Sequence, residues 1–453
     1  MAIATHDPFT GETRKTFAAL DDTELAAIVQ RVHDANSRWA AVPVDERAAC
    51  LARTAQRLRE RRDDYAALIT LEMGKPVREA RTEVEKCAWG CEYFAAQAAR
   101  FLADEVIESD AGRSLVAWQP LGTLLAIMPW NFPFWQVFRA CAPALAAGNT
   151  VLLKHASNVP QCALAIEEIV RESFPAEVLR TLLITPDQAE RLIADPRIRG
   201  VTLTGSEAAG RRVAAAAGAH LKKSVLELGG SDAFVVLADA DLELAVTGAV
   251  TSRFLNGGQS CIAAKRIVLV PEIAEEFIVR FRQRLAQLKL GDPLREDTDI
   301  GPMARADLRE ALHRQVTESV RLGAVPRLGG EPVPGRGCFY PVSLLDRVRA
   351  GMPAYDEELF GPVAAVIRAR DEADALRIAN DHKYGLGGSV WTRDAARGAA
   401  FARALQCGQA FVNGVVKSDP RLPFGGIKAS GYGRELSLLG IREFVNAKTL
   451  WVK

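Results

Sequence analysis

The sequence predicts an α/β protein of two units, each a parallel sheet flanked by helices. Three observations lead there. The 453 residues are too many for one hydrophobic core. From about residue 121 onward the pattern alternates strand and helix, first in one series and then in another. Apolar residues make up 49% and charged residues 25%, the balance of an ordinary globular protein. Lysine plus arginine number 57 against 56 acidic residues, so nothing in the charge points to a nucleic-acid or anionic-membrane partner.

The first hundred residues read as helical. After Asp22 the apolar positions Leu25, Ile28, Val29, Val32 and Trp39 recur at helical spacing, and further runs cover Glu46 to Leu71 and the stretch from Pro76 to Phe101. Ser114–Gln119 alternates like a strand. The first alternating series then places strands at Leu121–Met128, Thr150–Lys154, Gly200–Thr204 and Ser224–Leu228, with helices at Phe134–Ala147, Val159–Ser173 and Glu207–Gly218. After Gly229-Gly230 a second series follows, with strands at Ala233–Leu237, Lys265–Val270, Pro362–Arg368 and Gly388–Trp391. Its helices are Leu242–Leu255, Ile273–Leu288, Asp371–Asn380 and Ala395–Ala404. Lys448–Lys453 alternates again and reads as an edge strand.

The eight cysteines are scattered, which is unlike a disulfide framework. Cys87 and Cys91 share a helix face, but no further Cys or His accompanies them, so packing is expected there and no metal site. Residues 1–20 lack an apolar run and carry Asp7, Glu12, Arg14 and Lys15, so a cytoplasmic, reducing location is expected. Ser114 to Phe138 is uncharged, yet Pro120, Pro129 and Pro133 argue against a membrane-spanning helix.

Four segments carry candidate chemistry. In Asn256-Gly257-Gly258-Gln259-Ser260-Cys261, a thiol follows a helical run and a flexible Gly-Gly pair, a setting for a nucleophile or for simple packing. Glu227, between Leu226 and Leu228 at a strand end, is a candidate general base, since burial raises a carboxylate's pKa; a helix cap or ion pair is the alternative. Asn131, fixed between Pro129-Trp130 and Phe132-Pro133, can donate to an oxyanion or belong to a rigid aromatic turn. Gly205-Ser206 stands where a strand enters a helix and can offer N–H groups to a phosphate, although no G-x-G-x-x-G fingerprint is present.

Taken together and in this order, the four segments resemble the aldehyde dehydrogenase superfamily. The resemblance spans nearly the whole chain and takes in Lys154, Glu358-Leu359-Phe360-Gly361-Pro362 and Pro423–Gly431. It implies two Rossmann-like domains plus a small β extension. The cofactor-binding domain would comprise 1–107 and 120–229, the catalytic domain 230–444, and the oligomerisation strands 108–119 and 445–453. A homodimer or dimer of dimers is expected, since a projecting strand has an edge to pair. By the family pattern Cys261 attacks the aldehyde carbon, Asn131 and the Cys261 N–H hold the oxyanion, and Glu227 activates water on the resulting thioester, without a metal. Trp130, Lys154, Ser157, Gly205, Ser206, Leu228, Glu358 and Phe360 would line the cofactor site.

The resemblance also bears on specificity. NAD-preferring relatives often carry Glu where this chain has Ser157. A neutral residue removes repulsion against a 2′-phosphate that Lys154 can pair, which favours NADP over NAD, with dual use open. The segments Lys154-His155-Ala156 and Gly301-Pro302-Met303-Ala304-Arg305 are most like short bacterial succinate-semialdehyde dehydrogenases. Arg139 would anchor the substrate carboxylate at the tunnel mouth, with Ser418 assisting. Leu255 stands where some of those relatives have a second arginine, and a broad-range aldehyde dehydrogenase is the alternative. Glu227 argues against a coenzyme-A-acylating enzyme. None of the six histidines lies in the four segments that carry candidate chemistry, which argues against a Cys-His hydrolase.

Overall fold

The computed structural model describes residues 3–335 and 337–453. Two sheets organise it. The first has six strands in the order Gly431–Tyr432, Lys223–Glu227, Ile198–Thr204, Thr123–Met128, Thr150–His155 and Leu179–Thr181. All of its pairings are parallel except that of Gly431–Tyr432 with Leu226 and Glu227. The second has seven strands: Val325–Leu328, Ser343–Asp346, Val363–Arg368, Arg266–Leu269, Ala233–Val236, Gly387–Trp391 and Gln409–Val412. Only its first pair is antiparallel. The central strands of both sheets are buried along their length, which is why they read as continuous apolar runs.

The helices expected in the alternating regions are present with ends shifted by a few residues, for example Trp135–Ala146, Pro160–Ser173 and Glu207–Ala219. Their starts are held by side chains. The Glu83 carboxylate accepts from the N–H groups of Phe134 (2.9 Å) and Trp135 (3.0 Å), so a buried anion from the helix Val77–Phe101 closes the start of Trp135–Ala146. Glu72 does the same for Pro160–Ser173 through Gln161 (3.0 Å) and Cys162 (2.9 Å).

The structure departs from the sequence reading at both ends. Ile3–His6 and Thr13–Phe17 form an antiparallel hairpin where a helical pattern was expected; one short strand is mostly buried and the other mostly exposed, so neither shows a period of two. The catalytic unit was expected to run to 444. Instead the chain returns to the first unit: Phe424, Leu436, Ile441 and Phe444 join the first core, and Gly431–Tyr432 extends the first sheet. The β extension is present as Val445–Val452 against Arg113–Pro120, with Glu105–Val106 beyond it.

At the end of Thr150–His155, His155 is buried, with Nε2 2.8 Å from the Pro133 carbonyl while its Nδ1 accepts from Ala156 N–H at 2.8 Å. The ring is therefore neutral with the proton on Nε2, and burial pushes its pKa down to about 4. Because the folded value lies below the unfolded one of about 6.5, its stabilisation is whole above that pH and is lost as pH falls. From about pH 7.5 to about pH 5 this one group should withdraw about 2 kcal/mol. The urea midpoint should accordingly fall less over that range in His155→Gln than in the parent; an equal fall would refute the assignment.

Candidate active site

Four neighbouring strands of the first sheet end side by side. Met128 leads into Trp130 and Asn131, His155 follows Lys154, Thr204 leads into Gly205, and Glu227 into Leu228. The crevice beyond the carboxyl ends of such strands is where α/β folds bind ligands. The second unit contributes the loop after the helix Leu242–Phe254. There Asn256 (φ 59°), Gly257 (φ 59°) and Gly258 (φ 72°) take left-handed conformations and turn the chain so that Cys261 meets the first unit. Gly258 admits no side chain, since a Cβ would lie 2.3 Å from the Gly361 carbonyl oxygen.

Side chains fix this loop. The buried Arg253 guanidinium donates to the carbonyls of Val363 (2.7 Å), Gly258 (3.2 Å), Leu359 (2.9 Å) and Gly361 (2.5 Å). Lys265 Nζ donates to Ser260 O (2.7 Å) and Cys261 O (2.8 Å) and pairs with Glu358 at 3.0 Å. From the first unit, Asn131 Nδ2 donates to Gln259 O at 3.0 Å, and its Oδ1 accepts from Gln136 Nε2 at 3.1 Å. Asn256 Nδ2 donates to Asn131 O at 2.8 Å. The second hydrogen of the Asn131 amide has no partner among the described residues.

Burial dominates the electrostatics. It pushes the Cys261 thiol up to about 12, against the opposing fields of Arg139 and Lys265. Glu227 is 2% exposed, and neither carboxyl oxygen has a hydrogen-bond partner among the described residues. Burial raises its pKa well above the usual range, and the nearby Glu435 adds to this while Arg139 and Arg434 oppose it. A buried acid with free oxygens and raised proton affinity is equipped to take a proton from water.

On the cofactor side, Lys154 is buried and forms no ion pair among the described residues; Ser157 is half-buried and neutral. Ser206 caps the helix Glu207–Ala219, and Gly205 N–H donates to Glu227 O at 2.9 Å. Leu228 packs against Gly210, where a Cβ would come within 2.5 Å of its side chain. Glu358 accepts from Gly230 N–H at 3.1 Å, and Phe360 meets Trp130 edge to face at 5.7 Å. An unpaired buried cation, a capped helix start and a neutral Ser157 make a donor set that fits a phosphorylated dinucleotide.

A cavity of about 220 Å³ reaches Cys261, walled by Phe132, Trp135, Ile262 and Phe424. Ser418 lies on its wall, accepting from Trp135 Nε1 (3.0 Å) and Lys86 Nζ (2.8 Å). Arg139 also borders it but is not placed as expected. It is 3% exposed, ion-paired with the equally buried Glu435, donates to Gln136 and Thr204, and stacks over Phe424. Its charge is engaged inside the fold, away from any mouth, because Glu435 arrives with the returning C-terminal segment. Among the described residues no cluster of three metal-ligating side chains occurs, and no helix is long and apolar enough to cross a membrane.

The model of the aldehyde dehydrogenase family matches residues 1–450. The chain belongs to the aldehyde dehydrogenase family. Among similar members, a Synechocystis sp. protein named probable succinate-semialdehyde dehydrogenase (NADP(+)) is 50% identical over 453 residues, covering 100% of both chains. The succinate-semialdehyde dehydrogenase (NADP(+)) of Mycobacterium avium is 47% identical, covering 100% of this chain and 97% of its own. In structure, the succinic semialdehyde dehydrogenase from Streptococcus pyogenes, in complex with NADP+, matches with a TM-score of 0.97 at 38% identity over 99% of each chain.

Within this aldehyde dehydrogenase, sequence reasoning missed Arg253, Lys265, Glu435 and Lys86. Arg253 and Lys265 lie close to Cys261 in the chain, and their place just before and after its loop was the available signal. Nothing in the sequence pointed to Glu435 or Lys86, whose partners lie hundreds of residues away.

Proposed function

We propose that the protein oxidises succinate semialdehyde to succinate with NADP as the hydride acceptor, through a covalent intermediate on Cys261. The observation that carries the chemistry is the meeting of Cys261, on the wall of a cavity, with the strand ends that present Asn131 and Glu227. The substrate and cofactor are supported by the names of relatives at 47–50% identity. Ser418 on the cavity wall, the unpaired Lys154 and the neutral Ser157 agree with them.

In this reading the Cys261 sulfur bonds to the aldehyde carbon to give a thiohemiacetal. The free hydrogen of the Asn131 amide and the Cys261 backbone N–H hold the oxyanion. Lys154, Ser157, Gly205, Ser206, Glu358 and Phe360 would hold the cofactor, with Trp130 and Leu228 lining the same crevice. When bound, the nicotinamide would supply the hydride acceptor for the thiohemiacetal. Glu227 takes a proton from the water that attacks the acyl group carried on Cys261, releasing the acid and freeing the sulfur. All eight cysteines are free, which supports a reducing, cytoplasmic setting. A broad-range aldehyde dehydrogenase is the second reading, favoured by Leu255 on the cavity wall where some relatives carry arginine.

The exposed strand Val445–Val452, with Leu450, Trp451 and Val452 in solvent, supports a homodimer or dimer of dimers. Light scattering should show that deleting 446–453 reduces the mass to that of one chain; an unchanged mass would remove this interface.

Initial rates of reduced-cofactor formation test the substrate. The parent should prefer succinate semialdehyde over its uncharged methyl ester by about 100-fold in kcat/KM. It should also prefer NADP over NAD, and Ser157→Glu should reverse that cofactor order. Equal rates on acid and ester would move the function to a broad-range enzyme. In Glu227→Gln, a burst of reduced cofactor should precede a steady rate lowered by about 100-fold. Unchanged turnover would count against Glu227 as the base.

A further inference from the structure

We propose that Lys86 is the specificity-determining residue of the cavity, the cation that receives the carboxylate of an aldehyde bearing an acid group at its far end. The inference rests on the substrate class proposed above and names the residue that selects it.

Lys86 lies on the helix Val77–Phe101 where two spaces meet. It borders both the cavity that reaches Cys261 and an outer basin of about 710 Å³. Its Nζ donates to Ser418 Oγ at 2.8 Å and sits 4.7 Å from the centre of the Trp135 ring. One hydroxyl and one ring face leave part of a three-donor ammonium free.

The surrounding charges single it out. In the cavity, Lys75 is paired with Glu83 and Arg139 with Glu435, both pairs buried. In the basin, Arg59 is paired with Glu85 and Glu92, Arg62 and Arg81 with Asp63, and Arg421 with Asp419. Among the described residues, the lining cations without an ion pair are Lys86, which is partly buried, and Lys417, which is exposed. An exposed lysine binds a carboxylate weakly because water screens it, so the sheltered one decides.

Its surroundings have also prepared it for an anion. Burial and the field of Arg139 push its pKa down to about 8, while Cys87, Glu83 and Asp419 act the other way without neutralising it. A carboxylate arriving from the substrate supplies the missing counter-charge. Phe132, Trp135, Ile262 and Phe424 supply apolar walls, and the cavity's own carboxylates are engaged elsewhere, Glu83 with Lys75 and Glu79 with the Asn256 N–H. A neutral aldehyde leaves this sheltered ammonium without a counter-charge, which is the condition under which a site rejects an analogue.

The test compares kcat and KM for succinate semialdehyde and its methyl ester in the parent, Lys86→Met and Lys86→Arg, all as full-length protein with NADP. The acid-over-ester ratio of kcat/KM should fall about 30-fold in Lys86→Met, chiefly through KM for the acid, and by no more than about threefold in Lys86→Arg. Ester turnover reports that the Met variant is folded. If Lys86→Met keeps the parent's preference, or loses acid and ester turnover equally, Lys86 is not the selector and the proposed function stands. If the parent itself shows no preference, the substrate assignment and the anion subsite fall together.

Discussion

The site depends on two buried cations that satisfy main-chain carbonyls where no secondary structure can. The left-handed turn at Asn256–Gly258 takes the chain out of its helix; from there to Cys261 the Asn256 and Ser260 carbonyls accept from main-chain N–H groups in turns, whereas those of Gly258 and Cys261 rely on side chains. Arg253 takes up Gly258 together with Leu359, Gly361 and Val363, so one planar donor fork ties the nucleophile loop to the segment after Glu358. Lys265 closes the other side through Ser260 and Cys261. Leaving such groups unmatched in a dry interior would cost about 1–3 kcal/mol each, which is why the loop holds one shape.

That rigidity links parts of the site that are distant in sequence. Lys265 also pairs with Glu358, which accepts from Gly230 N–H, so the nucleophile loop and the cofactor side share one charge network. Asn131 reaches the same loop from the other unit through Gln259. The price of a dry site is that its own acids and thiol resist ionisation. The fold answers with Arg139, whose field acts on both Cys261 and Glu227 while its side chain stays paired to Glu435. Burial and counter-charge thus set the proton affinities here, and the small residues Gly258 and Gly210 allow the approach that makes the burial complete.

The motif-bearing segments were legible in the sequence because their signals are local. A strand end, a proline pair around Asn131, a Gly-Gly pair before Cys261 and a Gly-Ser helix start each follow from a handful of neighbouring residues. The parallel sheets were legible too, since strands buried on both faces must be apolar throughout. The N-terminal hairpin was not, since its strands are short and neither alternates between buried and exposed.

What only the tertiary structure decided is which charges are free. By sequence Arg139 is the single charge of an apolar helix and Lys86 one of many charges on an amphipathic one, and only Arg139 had a motif to recommend it. In the fold, Glu435 returns from the far end of the chain to pair with Arg139, whereas none of the described carboxylates forms an ion pair with Lys86, Glu83 and Asp419 acting on it only from a distance. Residue type, spacing and local conformation are written into short stretches of chain. Desolvation and pairing depend on neighbours hundreds of residues apart, and those neighbours exist only once the sheets have packed.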